Sequence, residues 1–295
     1  MNTVPPAGEA SDDGASPTVA RLVLGNQLRY LRELSAVSPE QAGYEIRASR
    51  SKISRMENGL VRFKPRDVAD LLTLYGVTDD PTRGRLLALV KQANTPGWWS
   101  TYTDILADWF EAFIGLEAAA SFIRTFELQF VPGLLQTEDY ARAVTRLGHR
   151  AAPAAEVERR IGLRLQRQDL LTRPDPPHVW FVIDEGALRR PFGGPAVMRA
   201  QLSRLIELTE LPRVTVQAVP FQHGGHAAAG GSFTVLRYSD PAVPDVVYID
   251  HLTSALYLDD RADVEVYMEV MNQVSAEALT PVQTRQFISD ISREI

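Results

Sequence analysis

Over the first ninety residues the apolar positions recur every third or fourth place. Leu24, Leu28 and Leu31 repeat at i, i+4 and i+7 and predict one buried face of a helix from Thr18 to Leu34. Ser38-Pro39-Glu40-Gln41 reads as a second helix start, with Ser38 as N-cap, Pro39 at the first helical position and Gln41 closing a capping box. That helix ends near Ile46 and carries the small residues Ala42 and Gly43, which permit close packing. After a turn at Arg47-Ala48, Ser49 caps a third helix with Ile53 and Met56 facing inward and Arg50, Ser51 and Arg55 facing outward. Asn58-Gly59 stops it, Gly59 taking the left-handed conformation. Pro65 to Gly76 and Asp80 to Ala93 predict a fourth and a fifth helix, and Asn94-Thr-Pro-Gly97 is a turn.

Beyond that turn the pattern mixes two periods. Trp98 to Ala120 reads as amphipathic helix, in which the adjacent Trp98 and Trp99 cannot both face one core. Phe122 to Phe130 alternates apolar and polar residues and predicts a strand. Helices are expected after the N-cap Thr137, over Ala154–Leu171, Pro195–Thr209, Val264–Leu279 and Pro281–Ile291. Further strands are expected at His178–Asp184, Arg213–Pro220, Ser232–Tyr238, Val246–His251 and Ala255–Leu258. The expected fold is an all-α domain of five helices over 18–93, followed by an α+β domain over 98–295. Residues 1–17 are rich in Pro, Ala, Gly and Asp, lack an apolar run, and predict a disordered leader with no signal peptide.

Charge divides the chain in the same place. Between Thr18 and Arg66 there are ten Arg and Lys against four Asp and Glu, a net of +6. The whole chain is −6, so the rest, with 21 basic and 33 acidic residues, sums to −12. A basic module on an acidic body concentrates phosphate attraction on one part and leaves the larger part another task. The absence of cysteine excludes disulfides, thiolate metal sites and cysteine nucleophiles. No run reaches the ~20 apolar residues of a membrane span, so a cytoplasmic protein is expected.

The segment Ser49-x-x-x-Ile53-Ser54-x-x-Glu57-Asn58-Gly59 resembles the Cro/repressor-like (xenobiotic-response-element) helix-turn-helix regulators, with a match running from Leu24 to Val77. The resemblance implies double-stranded DNA as a partner. By matching position it puts Arg50, Ser51 and Arg55 on base edges, Lys52 and Asn58 on phosphates, and Glu57 in an ion pair with Arg32. Gly43 departs from the pattern, where Ala is usual. One short helix reads few bases, so a homodimer on two half-sites is expected. Phe130-Val-Pro-Gly-Leu-Leu-Gln-Thr-Glu-Asp-Tyr-Ala-Arg142, Asp184-Glu-x-x-Leu-Arg-Arg-Pro191 and Gly231-Ser-Phe-Thr234 resemble the C-terminal domain of actinobacterial regulators described as antitoxin-like. This second resemblance implies control by a small toxin-like protein.

Chemistry in the second domain is sparse. Asp184-Glu185 with Arg189 and Arg190 reads as a helix start with local ion pairs. His223-Gly-Gly-His226 has no third ligand nearby, so no metal is expected, and no cofactor motif or catalytic triad is present. Phe221, His223 and His226 mark a glycine-rich loop that reads as a ligand or partner loop. Two alternatives remain beside the protein-controlled regulator: a regulator that responds to a small molecule, and an enzyme tethered to a DNA-binding module. No enzyme is expected.

Overall fold

The computed structural model describes residues 17–241 and 243–295, and these form twelve α-helices and one six-stranded sheet. The leader expected over 1–17 lies, except for Pro17, outside the described residues. The chain divides into two units. One takes the described residues up to Thr101, with Asp108–Ala119 and Tyr238–Pro244; the other takes Tyr102–Ala107, Ala120–Arg237 and Asp245–Ile295.

In the first unit α1 (Pro17–Leu34), α2 (Pro39–Glu45), α3 (Arg50–Glu57), α4 (Pro65–Leu74) and α5 (Asp80–Ala93) enclose one core. Leu24, Leu28, Ile53, Met56, Val68, Leu71, Leu72 and Val90 meet in it. Local hydrogen bonds set the helix ends. Ser38 and Gln41 form the capping box of α2, and Ser49 Oγ accepts from Lys52 N–H at the start of α3. Gly59 has φ of +65°, and Leu60 and Gly59 donate to the carbonyls of Arg55 and Met56, satisfying the orphan acceptors of α3. Two glycines set helix spacing. A Cβ on Gly25 would lie 2.5 Å from Glu57 O, and one on Gly43 would lie 2.7 Å from Ala48 O. At position 43 the smaller residue therefore admits the Ala48 carbonyl.

The single helix expected over Trp98–Ala120 is broken. A 3-10 turn at Trp98–Tyr102 precedes α6 (Asp108–Ala119). The intervening run Ser100-Thr-Tyr-Thr-Asp104 contains residues that lose rotamer freedom in helices or favour non-helical backbone bonds. Trp99 is buried while Trp98 is exposed, the two rings meeting edge to face.

In the second unit the sheet order is β3-β2-β1-β4-β5-β6. The first three strands, β1 (Phe122–Glu127), β2 (His178–Asp184) and β3 (Val214–Val219), run parallel. The others, β4 (Phe233–Arg237), β5 (Val246–Asp250) and β6 (Ala255–Leu258), continue antiparallel from β1. Between β1 and β2 lie α7 (Glu138–Gly148) and α8 (Ala154–Arg167); between β2 and β3 lie α9 (Glu185–Arg189) and α10 (Pro195–Leu208). The chain ends in α11 (Arg261–Glu277) and α12 (Pro281–Glu294). β1 stops three residues earlier than its alternation suggests, because Ser232 Oγ takes the Leu128 N–H.

Alternation along the strands gives the sheet two distinct faces. On one, Phe126, Val182, Val219, Phe233, Val235 and Val247 pack with Met271 and Val274 of α11. Arg124 is buried on this face, where its guanidinium donates to Asn272 Oδ1, Met271 O and Ser275 Oγ and lies 5.0 Å from the Trp180 ring centre. Thr125 and Glu127 of β1 point to the opposite face. Among the described residues no helix is long and apolar enough to cross a membrane.

Candidate nucleic-acid interface

The outward face of α3 follows from its helical period. Residues advance about 100° each, so Arg50, Ser51, Ser54 and Arg55 fall within an arc of about 140°. All four are exposed, whereas Ile53, Met56 and Glu57 face the core. The Arg50 side chain is 73% exposed and lies 3.3 Å from Glu40 Oε1 of α2. Pairs this exposed are weak, about 0–1 kcal/mol, so Arg50 is free to exchange its partner. The Glu40 carboxyl is held below its ordinary range by its own backbone N–H at the helix start, then by Ser38 and Arg50. Arg55 is exposed and makes no ion pair among the described residues. Two guanidinium forks and two hydroxyls thus share one solvated face, the donor chemistry that reads guanine O6/N7 in a major groove.

Behind that face α3 is tied to α1. Arg32 Nε and Nη2 donate to Glu57 Oε1 and Oε2 at 2.6 and 3.0 Å, and Arg32 Nη1 donates to Val37 O at 3.1 Å. Both side chains of the pair are buried, and the bond to Glu57 holds the Arg32 pKa above its ordinary value. Arg29 adds a second cation, 3.8 Å from Glu57 Oε2.

The two residues assigned to phosphates are engaged within the domain. Lys52 lies just outside this arc, about 60° beyond Arg55, and its Nζ lies 2.7 Å from Asp67 Oδ2 of α4. Asn58 Oδ1 accepts from Arg29 Nη2. A phosphate at either would compete with an existing bond. Arg47, Arg62 and Lys64 flank α3 and are exposed without an ion pair among the described residues. Sequence reasoning did not single them out, although their place on either side of the third helix was a usable signal.

The loop residues of the second unit each meet a different partner. Phe221 is exposed, and its N–H donates to Glu185 Oε2 at 2.6 Å. His223 Nε2 is 3.5 Å from Glu277 Oε2, and the His226 ring meets Phe126 edge to face at 5.1 Å. The His226 Nδ1 is buried without a partner, and Ala228 inserts into the core against α11. Among the described residues no three metal-ligating side chains come together. Asp184 Oδ1 caps α9 by accepting from Gly186 N–H, and Glu185 bonds Arg189 and the Phe221 amide. Each carboxylate thus already has backbone or ion-pair partners.

Two known families match separate stretches of the chain. Residues 23–86 match the family described as "Helix-turn-helix domain", and residues 110–290 match the family described as "Domain of unknown function (DUF5753)". No curated protein and no solved structure matches the chain.

Proposed function

The chain belongs to the DUF5753 family and bears a helix-turn-helix domain ahead of that region, and from this premise we propose a sequence-specific transcriptional regulator of the Cro/repressor-like type. It binds its operator as a homodimer in the cytoplasm, and its DUF5753 region is the antitoxin-like part, controlled by a small toxin-like protein. The observation that carries the DNA-binding reading is the shared exposed face of Arg50, Ser51 and Arg55, set on a helix anchored from behind by Arg32 and Glu57. In this reading Arg50 and Arg55 hold bases bidentately and Ser51 contacts a base edge. Lys52 and Asn58 reach phosphates only by exchanging their present partners, so Arg47, Arg62 and Lys64 supply the first phosphate contacts.

Dimerisation rests on reach. A helix of eight residues addresses few base pairs, and a second half-site one helical turn away supplies affinity and specificity. The test is selection of bound sequences from a random duplex pool with the full chain and with the Arg50→Ala/Arg55→Ala double variant. A motif with two half-sites, lost in the variant, is the expected result. A one-half motif overturns the dimer, and an unchanged motif in the variant overturns the residue assignment.

A further inference from the structure

Of the two arginines on the exposed face of α3, one has a partner within the domain. Arg50 opens α3, Glu40 stands in the first turn of α2, and Arg50 Nε lies 3.3 Å from Glu40 Oε1. Arg55 makes no ion pair among the described residues. The Arg50 and Glu40 side chains are 73% and 58% exposed, so neither serves the core. A pair this exposed contributes little to stability in water. Its place on the face offered to the bases gives it another use.

The backbone keeps the two residues at this separation. Ala48 N–H donates to Gly43 O at 2.7 Å, and Arg47 N–H donates to Tyr44 O at 3.1 Å, closing the turn between the helices. Arg47 holds a φ of +53°, a left-handed conformation that residues with a side chain rarely take. Capping fixes the helix starts on either side. Gln41 Oε1 accepts from Ser38 N–H at 2.8 Å, and Ser49 Oγ accepts from Lys52 N–H at 3.2 Å. Gln41 is thereby turned back on its own cap, and Glu40 is the side chain of that turn that reaches α3.

The chemistry of the guanidinium lets Arg50 keep this contact while it reads a base. The approach is closest at Nε, the inner nitrogen, which carries one of the five N–H donors. Nη1 and Nη2 carry the rest, and they make no hydrogen bond among the described residues. A fork held at Nε therefore still presents both terminal nitrogens to guanine O6 and N7. Without a partner the same side chain is long and flexible, and phosphates compete with bases for it. A carboxylate beside it repels phosphate and narrows the rotamers from which the fork is recruited. Where the groove displaces water the effective dielectric falls, so the pair strengthens at the place of recognition.

We propose that Glu40 is a positioning residue for sequence recognition: its carboxylate holds Arg50 by Nε, aims the terminal fork at a guanine and keeps the guanidinium off the phosphates. The inference rests on the DNA-binding reading and adds to it a residue of α2. The base addressed by Arg55, which has no such partner among the described residues, should not depend on Glu40.

The experiment is competition binding of the full chain to its selected operator, to operators changed at single base pairs and to random duplex, each over a salt series. Arg50→Ala first identifies the base pair that Arg50 addresses. Glu40→Ala should lower discrimination at that pair roughly tenfold and leave the others unchanged. It should also steepen the salt dependence by about one, as Arg50 moves to a phosphate. In the Arg50→Ala background the same substitution should change discrimination by less than about twofold. Full discrimination in Glu40→Ala overturns the proposal, as does an equal effect in both backgrounds. Uniform weakening on all duplexes with an unchanged salt slope would mark a merely structural role and overturn it too. Should Glu40→Ala not fold, Glu40→Gln keeps an acceptor and loses the charge, and random-duplex affinity equal to that of the unmodified chain has the same force. A motif that depends on Arg50 but not on Glu40 ends this proposal alone. No motif from the unmodified chain ends the DNA-binding reading with it.

Discussion

Removing the Glu57 carboxylate tests the anchor beneath the recognition face. Glu57→Ala deletes the acceptor of two short bonds, at 2.6 and 3.0 Å, and leaves the buried Arg32 guanidinium with Val37 O and the exposed Glu33, 3.5 Å away. Breaking a buried pair by removing one partner costs about 3–5 kcal/mol, because the remaining charge is neither solvated nor matched. The loss falls on the α1–α3 contact, so it is read best by hydrogen exchange of the full chain at amides around Leu28 and Ile53. At about 1.4 kcal/mol per tenfold, exchange through opening of this unit should accelerate by roughly a hundredfold or more. Operator affinity should fall with it although no base contact has been touched. Replacing both partners, as Arg32→Met/Glu57→Met, should recover most of the loss, since an apolar pair of similar volume needs no solvation. Acceleration below about tenfold in Glu57→Ala would refute the reasoning, as would a double variant no more protected than the single one.

How much of this was legible in the sequence depended on how far apart the partners lie. The ends of α2 and α3 were readable because Ser38, Gln41, Ser49 and Gly59 act on backbone groups within four residues. The division into a helical region and a region of mixed helices and strands was readable from periodicity. The fate of Lys52 was not, because Asp67 reaches it from fifteen residues on, and nothing local separates a lysine facing a phosphate from one facing α4. Asn58 is likewise claimed by Arg29, twenty-nine residues earlier. The break between Tyr102 and Asp108 was missed because the flanking apolar residues keep a helical period across it. In α8 the sequence shows a helix rich in arginine but not which arginine turns inward. Arg159 and Arg160 pair with acids, at Asp104 and Glu156, while Arg164 donates to Gln136. A helix reveals its inward polar residue only once its neighbours are placed, so the sequence named the Val131–Tyr140 run without the arginine that donates to it.

Three further outcomes follow from the geometry. Gly25→Ala would put a Cβ 2.5–2.6 Å from the Glu57 and Met56 carbonyls. Since backbone must move, a cost of about 1–3 kcal/mol and weaker operator binding are expected by thermal unfolding and anisotropy; an unchanged midpoint would contradict the close approach of α1 and α3. Lys52→Met should leave the salt dependence of DNA binding nearly unchanged, whereas Arg62→Ala and Lys64→Ala should each reduce the slope by about one, and the reverse ranking would return Lys52 to the phosphates. Glu127→Gln tests the acid beside Tyr140. In the unfolded chain this carboxyl titrates near its ordinary 4.5, and in the folded chain near 7. Between those values the folded chain holds a proton that the unfolded chain has lost, so stability falls as pH rises through this window and levels off above it. The full span is worth about 3 kcal/mol, shared with Asp250, whose carboxyl burial also raises. Urea unfolding of Glu127→Gln should therefore match the unmodified chain near pH 4 and exceed it by up to that amount at pH 8. An equal difference at both pH values would mean that Glu127 is charged throughout, and the reasoning from its burial would fail.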